Sequence, residues 1–223
     1  MNSIIQIEDL SIKLNEAVIL EDISVCFEAE KIHGIIGRNG SGKTVLLKCI
    51  CGLIPASNGS IVVNGKHVEN GKVVPGQLGA IIETPGFLSQ YSGLRNLKML
   101  ASLSGRATTP DVYNSMKLVG LGPHDKKPVG KYSLGMRQRL GIAQAIMEHP
   151  KLLILDEPMN GLDAQGLEDI RKLLLTLRDE GTTILLASHN TEDIDTLCDT
   201  VCRIQDRHLI KVSGWEVDSE ILQ

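Results

Sequence analysis

Three short stretches of this 223-residue sequence combine residue types and spacings suited to handling phosphate. In "GRNGSGKT", Gly37, Arg38, Asn39, Gly40, Ser41, Gly42, Lys43 and Thr44 match the phosphate-loop pattern G-x-x-x-x-G-K-S/T. The glycines let the backbone wrap closely, so its N–H groups and the next helix start cradle the α- and β-phosphates. Lys43 brings positive charge to the β- and γ-phosphates, and the Thr44 hydroxyl can ligate Mg²⁺.

The second stretch, "LLILDEP", is an apolar run ending in two carboxylates. At the C-terminal edge of a parallel sheet, Asp156 is suited to hold Mg²⁺ through water, and Glu157 to polarise the water attacking a γ-phosphate. An acidic turn after a strand is the plain alternative, and a phosphate loop in the same chain weakens it. In the third stretch, "YSLGMRQRL", Ser133 and Gly135 open a helix, with Arg137 and Arg139 in its early turns. A helix start with free N–H groups is an anion site. One chain has no need of a second γ-phosphate site unless that site serves another subunit.

Strands and helices must position these groups. Ile5 and Ile7, Ile12 and Leu14, then Ile23, Val25 and Phe27 alternate as half-buried antiparallel strands do. Asn64-Gly65 suits a two-residue type I′ hairpin. "KIHGIIG" runs into the phosphate loop, and "KTVLLKCICGL" reads as a helix closing at Gly52. From about 86 to 148 the spacing is helical (Leu94, Leu97, Leu100; Val112, Met116, Val119; Leu140, Ala143, Met147), predicting a helical lobe inserted between strands. "KLLILDEP" and "TTILLASH" are apolar throughout and flank a helix whose Leu167, Ile170, Leu174 and Leu177 share one face, with Gly181 as its cap. That order predicts a parallel sheet covered on both sides. A helix near 191–198 and a strand pair follow. The whole reads as a single α/β unit over 1–223, with a polar tail from about 213 that carries Trp215.

Bulk properties narrow the function. The formal charge is −4 and the pI about 5.9, with both signs mixed along the chain, which is not a nucleic-acid footprint. Aromatics are 3%, too few for stacking on single strands. No apolar run reaches the roughly 18–20 residues of a membrane span, and the first ten residues do not read as a signal peptide. The expected setting is the cytosol, with any membrane attachment through another protein. Five cysteines, Cys26, Cys49, Cys51, Cys198 and Cys202, read as reduced thiols. Cys198 and Cys202, four apart, are spaced to share a helix face.

These motifs, with "NGLD" at 160–163 and the His189 of "ASHN", stand in the order found in the ATP-binding cassette ATPases, which the chain resembles over nearly its whole length. The resemblance implies a phosphate-loop ATPase core, an N-terminal antiparallel β subdomain and an inserted α-helical lobe. It implies ATP and Mg²⁺, held by Thr44, Asp156 and the residue at position 83. It also implies a head-to-tail, ATP-dependent homodimer (or pairing with a second cassette), in which Ser133, Leu134, Gly135 and Met136 meet the partner's γ-phosphate. Asp163 would communicate across the dimer, Glu157 would be the catalytic base, and His189 would bridge the γ-phosphate and the water. A separate transmembrane permease would hold the chain at the inner face of the membrane. No nucleic acid is expected.

The run "GAIIETPGF" raises its own question, because Glu83 stands where the family's strand ends in Gln. Glu there, followed by "TPGFLSQYSGLRNL", resembles the ATPases of bacitracin-type and lantibiotic self-immunity exporters. A carboxylate also ligates Mg²⁺ but adds negative charge beside the γ-phosphate. Phe87, Leu88 and Tyr91 follow, and either receive a helix of the permease or pack the lobe internally. Leu14 stands where many members stack an aromatic on adenine, leaving ATP over GTP open, and Met136 where many carry Gly or Gln. The alternatives are a soluble cassette ATPase acting on ribosomes or DNA, which usually carries two cassettes or long insertions, and a guanine-nucleotide switch, which needs an N-K-x-D segment not found here.

Overall fold

The chain was analysed as a computed structural model that describes residues 3–69 and 78–212. Strands β1 (Ser3–Leu14) and β2 (Ala17–Glu28) form a long antiparallel hairpin whose inward residues are the alternating aliphatics. Its turn residues Asn15 and Glu16 both have positive φ, and Leu14 beside them is exposed. The short strand β3 (Ile32–Ile36) leads into the phosphate loop, and helix α1 (Lys43–Ile50) leaves it. A left-handed Gly52 follows α1 and closes it through hydrogen bonds to the last turn, as expected of glycine after a C-cap. Strands β4 (Asn58–Val63) and β5 (Lys66–His67) meet across Asn64-Gly65, both with positive φ, as a type I′ turn requires. These strands make a four-stranded antiparallel sheet in the order β2-β1-β4-β5.

Strand β6 (Leu78–Ile81) is followed by helices α2 (Gly93–Ser104), α3 (Thr109–Leu118) and α4 (Leu134–Ile146). Ser92, Thr108 and Ser133 cap the three helices with their hydroxyls. Strand β7 (Leu152–Asp156), helix α5 (Ala164–Asp179), strand β8 (Thr183–Ala187), helix α6 (Thr191–Leu197) and strands β9 (Thr200–Gln205) and β10 (His208–Val212) complete the described chain. The second sheet has the order β10-β9-β3-β8-β7-β6 and is parallel except for its last-formed edge, β10.

Burial on both faces explains why β7 and β8 are unbroken apolar runs. On one face Leu153, Leu155, Ile184 and Leu186 join a core shared with α4, α5 and the lobe helices. On the other, Leu152, Ile154, Leu185 and Ala187 pack with α1 and the β1–β2 hairpin. Removing one such side chain, as in Ile154→Ala, costs about 2–5 kcal/mol. Helix α4 lies so close to the sheet that a Cβ on Gly79 would stand 2.0 Å from the Ala145 carbonyl oxygen.

Three local expectations are corrected. Strand β6 stops at Ile81 rather than at Glu83, whose φ of 61° is left-handed and cannot extend a strand. Cys198 caps α6 while Cys202 lies in β9, so the two share no helix face, and burial holds both thiols well above their usual range, Cys198 at about 12 and Cys202 at about 11. Arg139 does not join an anion site at the start of α4, because its guanidinium is engaged elsewhere, as described below. The polar tail and Trp215 lie outside the described residues.

Candidate functional site

The loops at the C-terminal ends of β3, β6 and β7 surround a cavity of about 530 Å³, lined by phosphate-loop residues with Glu83, Asp156, Glu157 and Asn160. Helix α1 starts at a left-handed Gly42 with no side-chain cap, so its first N–H groups are not taken by a capping side chain. Lys43 is only 7% exposed. Its ammonium donates to the Gly37 carbonyl at 2.6 Å and lies 3.4 Å from that of Arg38, which holds the charge inside the loop. The Thr44 hydroxyl donates to Asp156 Oδ2 at 2.6 Å, so the loop and the end of β7 are already joined.

Among the described residues no group of three or more His, Cys, Asp or Glu could cage a metal alone. The Thr44–Asp156 pair fits Mg²⁺ nonetheless, since that ion takes one or two protein oxygens and completes its shell with phosphate and water. Glu157 has a φ of 50°. Its N–H donates to the Ala187 carbonyl at 2.9 Å, and its Oε2 lies 2.8 Å from His189 Nδ1. The structure therefore brings Glu157 and His189 into one hydrogen-bonded pair. Glu83 lines the same cavity, but its carboxylate turns to Lys48, at 2.7 Å.

The Ser133 hydroxyl accepts from the Met136 N–H at 3.1 Å and so starts α4. Ser133 is exposed and lies outside the cavity lining, whereas Leu134 and Arg137 reach its edge. A Cβ on Gly135 would meet the Gly161 carbonyl oxygen at 2.6 Å, and one on Gly161 would meet Leu134 at 2.5 Å. The signature segment and the 160–163 loop thus pack glycine against neighbour, with no room for a side chain at either. Asp163 caps α5 by accepting from the Gly166 N–H at 2.9 Å, yet its side chain is 82% exposed.

Sequence reasoning did not anticipate three contributors. Gln138 is buried and donates to the Glu157 carbonyl at 3.4 Å. Arg139 donates to the Val119 carbonyl at 2.8 Å, with Asp169 at 3.6 Å and Asp163 at 3.9 Å, so it ties the end of α3 to the start of α5. Lys48 follows Thr44 by four residues on α1, a spacing that put both on one helix face and was legible as such. Downstream, Phe87 packs partly into the core, Leu88 is exposed, and Tyr91 carries the Arg95 guanidinium 3.9 Å above its ring.

Known proteins resemble this chain in sequence and in fold. The ABC transporter family model matches residues 20–160. An uncharacterized ABC transporter ATP-binding protein of Bacillus subtilis (strain 168), YybJ, is 42% identical over 87% of this chain and 89% of its own length. The bacitracin transport ATP-binding protein BcrA of Enterococcus faecalis is 40% identical over 95% and 69% of the two chains. The lantibiotic transport ATP-binding protein SrtF of Streptococcus pyogenes is 34% identical over 92% and 89%. Among solved structures, the dimeric ATP-binding cassette MJ0796 bound to ADP and Pi superimposes with a TM-score of 0.83 over 95% of this chain and all of that one, at 18% identity, which speaks for the fold. CbiO1 of Clostridium perfringens gives 0.80 at 26% identity, over 94% and 88%. By its family match, its relatives and the joined phosphate-loop and carboxylate motifs, the chain belongs to the ABC transporter family, as one of its ATP-hydrolysing, ATP-binding subunits.

Proposed function

We propose that this chain drives an exporter of peptide antibiotics, closing on ATP as a head-to-tail dimer at the cytoplasmic face of a separate membrane permease. The observation that carries the dimer is the division of phosphate-suited groups. Lys43 and Thr44 face the cavity, while the exposed Ser133 at the start of α4 stands outside its lining. A helix start whose leading hydroxyl residue lies outside the chain's own phosphate-loop cavity fits a partner's triphosphate. The cargo class follows the similarity to bacitracin and lantibiotic transport proteins.

In this reading Lys43 and the loop N–H groups bind and orient the triphosphate. Thr44 and Asp156, with Glu83, would hold Mg²⁺, which would neutralise phosphate charge. Glu157 takes the proton of the attacking water, and His189, 2.8 Å away, fixes the position of that carboxylate. Ser133 through Met136 close the partner's site, and Asp163 reports across the dimer. No helix among the described residues is long and apolar enough to cross a membrane, so the path for cargo is assigned to the permease. Leu88 and Tyr91 are the proposed contacts with it.

The test is recovery of partners by tagged Glu157→Gln protein from detergent-solubilised native membranes with ATP present, read by mass spectrometry. A multi-span permease is the expected catch. Recovery of ribosomal or DNA-bound proteins without one would overturn the exporter reading.

A further inference from the structure

The cavity that takes the triphosphate is lined by three carboxylates, Glu83, Asp156 and Glu157, against two cations, Lys43 and Arg137. A site for a polyanion is poorly served by such a surplus, since each uncompensated carboxylate repels the ligand. The structure supplies a further cation from outside the lining. Lys48 Nζ lies 2.7 Å from Glu83 Oε1. Lys48 stands one helical turn beyond Thr44, on the same face of α1 as the residue that is hydrogen-bonded to Asp156.

Glu83 is also held in a costly backbone state. Its φ of 61° is one that a non-glycine residue keeps only where its surroundings impose it. That backbone accompanies a side chain directed at α1. The Glu83 side chain is 61% exposed, and an ion pair so open to solvent adds little to folding stability. Its effect is on where a charge sits.

From this we infer that Lys48 is a positioning residue for nucleotide binding: it holds the Glu83 carboxylate against α1 and offsets the charge that Glu83 places beside the triphosphate. The inference rests on the nucleotide-site reading above. With Lys48 in place, the Lys48–Glu83 pair adds no net charge beside the triphosphate, and Glu83 could still offer an oxygen to Mg²⁺. Without Lys48, the bare carboxylate opposes the phosphates most strongly when Mg²⁺ is absent.

Equilibrium binding of a fluorescent ATP analogue, in EDTA and across a Mg²⁺ titration, tests this on the full chain without reference to turnover. In EDTA, Lys48→Met is expected to weaken binding about tenfold, and the Lys48→Met/Glu83→Gln double variant to return within about twofold of the unmodified protein. Saturating Mg²⁺ should shrink the Lys48→Met defect, and Lys48→Arg should preserve binding. Unchanged affinity of Lys48→Met in EDTA would overturn the inference, and so would a double variant as weak as Lys48→Met, which would mean that Lys48 acts on the nucleotide directly. Should Lys48→Met fail to fold by circular dichroism, Glu83→Gln alone decides: it is expected to tighten binding in EDTA several-fold, and no change sinks the idea. No binding by the unmodified chain would instead overturn the nucleotide-site reading, and this inference with it.

Discussion

The phosphate-loop region and the region at the start of α4 are built from the same kind of part, a loop running into a helix start, yet they are finished differently. Around α1 the polar groups are tied to one another: Lys43 to the Gly37 carbonyl, Thr44 to Asp156, Glu157 to His189. Around α4 the backbone is packed without slack, Gly135 against Gly161, while Ser133 and Asp163 remain at the surface. The first region is organised to act on a ligand within one chain. The second leaves its polar side chains exposed on a tightly packed backbone.

The sharpest test of that contrast is Glu157→Gln. Hydrolysis should fall roughly 10²–10⁴-fold, as expected for loss of a general base, with ATP binding kept and an ATP-dependent dimer accumulating on size exclusion. Turnover near the original rate would remove Glu157 from the role of base. Gly135→Val addresses the other region. Its side chain must displace the Gly161 carbonyl, costing about 1–3 kcal/mol in chemical denaturation. ATP binding to the monomer should stay within about twofold while dimerisation is lost, since the clash falls on the Gly161 carbonyl and not on Lys43, Thr44 or Asp156. A parallel loss of ATP binding would show that the two regions are not separate.

Arg139→Met probes the tie that α4 makes to the end of α3 and the start of α5. It removes the hydrogen bond to the Val119 carbonyl and strands that acceptor, so stability should drop about 1–3 kcal/mol in a urea titration. Because Arg139 also lies near Asp163 and Asp169, dimer affinity should weaken more than monomer ATP affinity.

The smallest effect concerns neither region. His33 is buried, its Nε2 2.8 Å from the Glu28 carbonyl and its Nδ1 2.6 Å from the Thr200 hydroxyl. With Nε2–H donating and Nδ1 accepting, the ring is neutral, and burial lowers its pKa below the ordinary 6.5. Its contribution is complete above pH 6.5. As pH falls from there toward the folded value, the unfolded chain takes up a proton that the folded chain refuses, and stability declines by up to about 1.4 kcal/mol per pH unit. Urea unfolding at about pH 7.5 and about pH 5.5 should show this loss in the unmodified protein and a smaller one in His33→Gln. Equal losses would remove His33 as the cause.

Much of this arrangement was legible beforehand, for reasons that differ by element. The β1–β2 hairpin declares itself because alternation reports a sheet with one wet face, and β7 and β8 because unbroken aliphatics report a sheet with none. Asn64-Gly65 names its own turn. The phosphate loop is local in sequence, so its residues stay together in space. The partners of Glu83 and Arg139 are not local. Lys48 lies on another element, and Arg139 reaches a carbonyl at the end of α3 that no side-chain pattern marks. The early end of β6 was hidden for a related reason: Ile82 continues the apolar run, while the backbone turns at Glu83.

The strand order has a consequence for how the protein is made. Strand β3, which delivers the phosphate loop, is made well before its two sheet neighbours, β8 and β9, at residues 183–187 and 200–205. At ordinary translation speeds the ribosome needs on the order of ten seconds to get from one to the other. Throughout that interval β3 has no neighbour in its own sheet, and the backbone N–H and C=O groups along both its edges are unpaired within that sheet. The nucleotide site is therefore completed only once β8 and β9 are made, and a nascent chain stalled before β8 has the full phosphate-loop sequence but neither of the strands that flank β3.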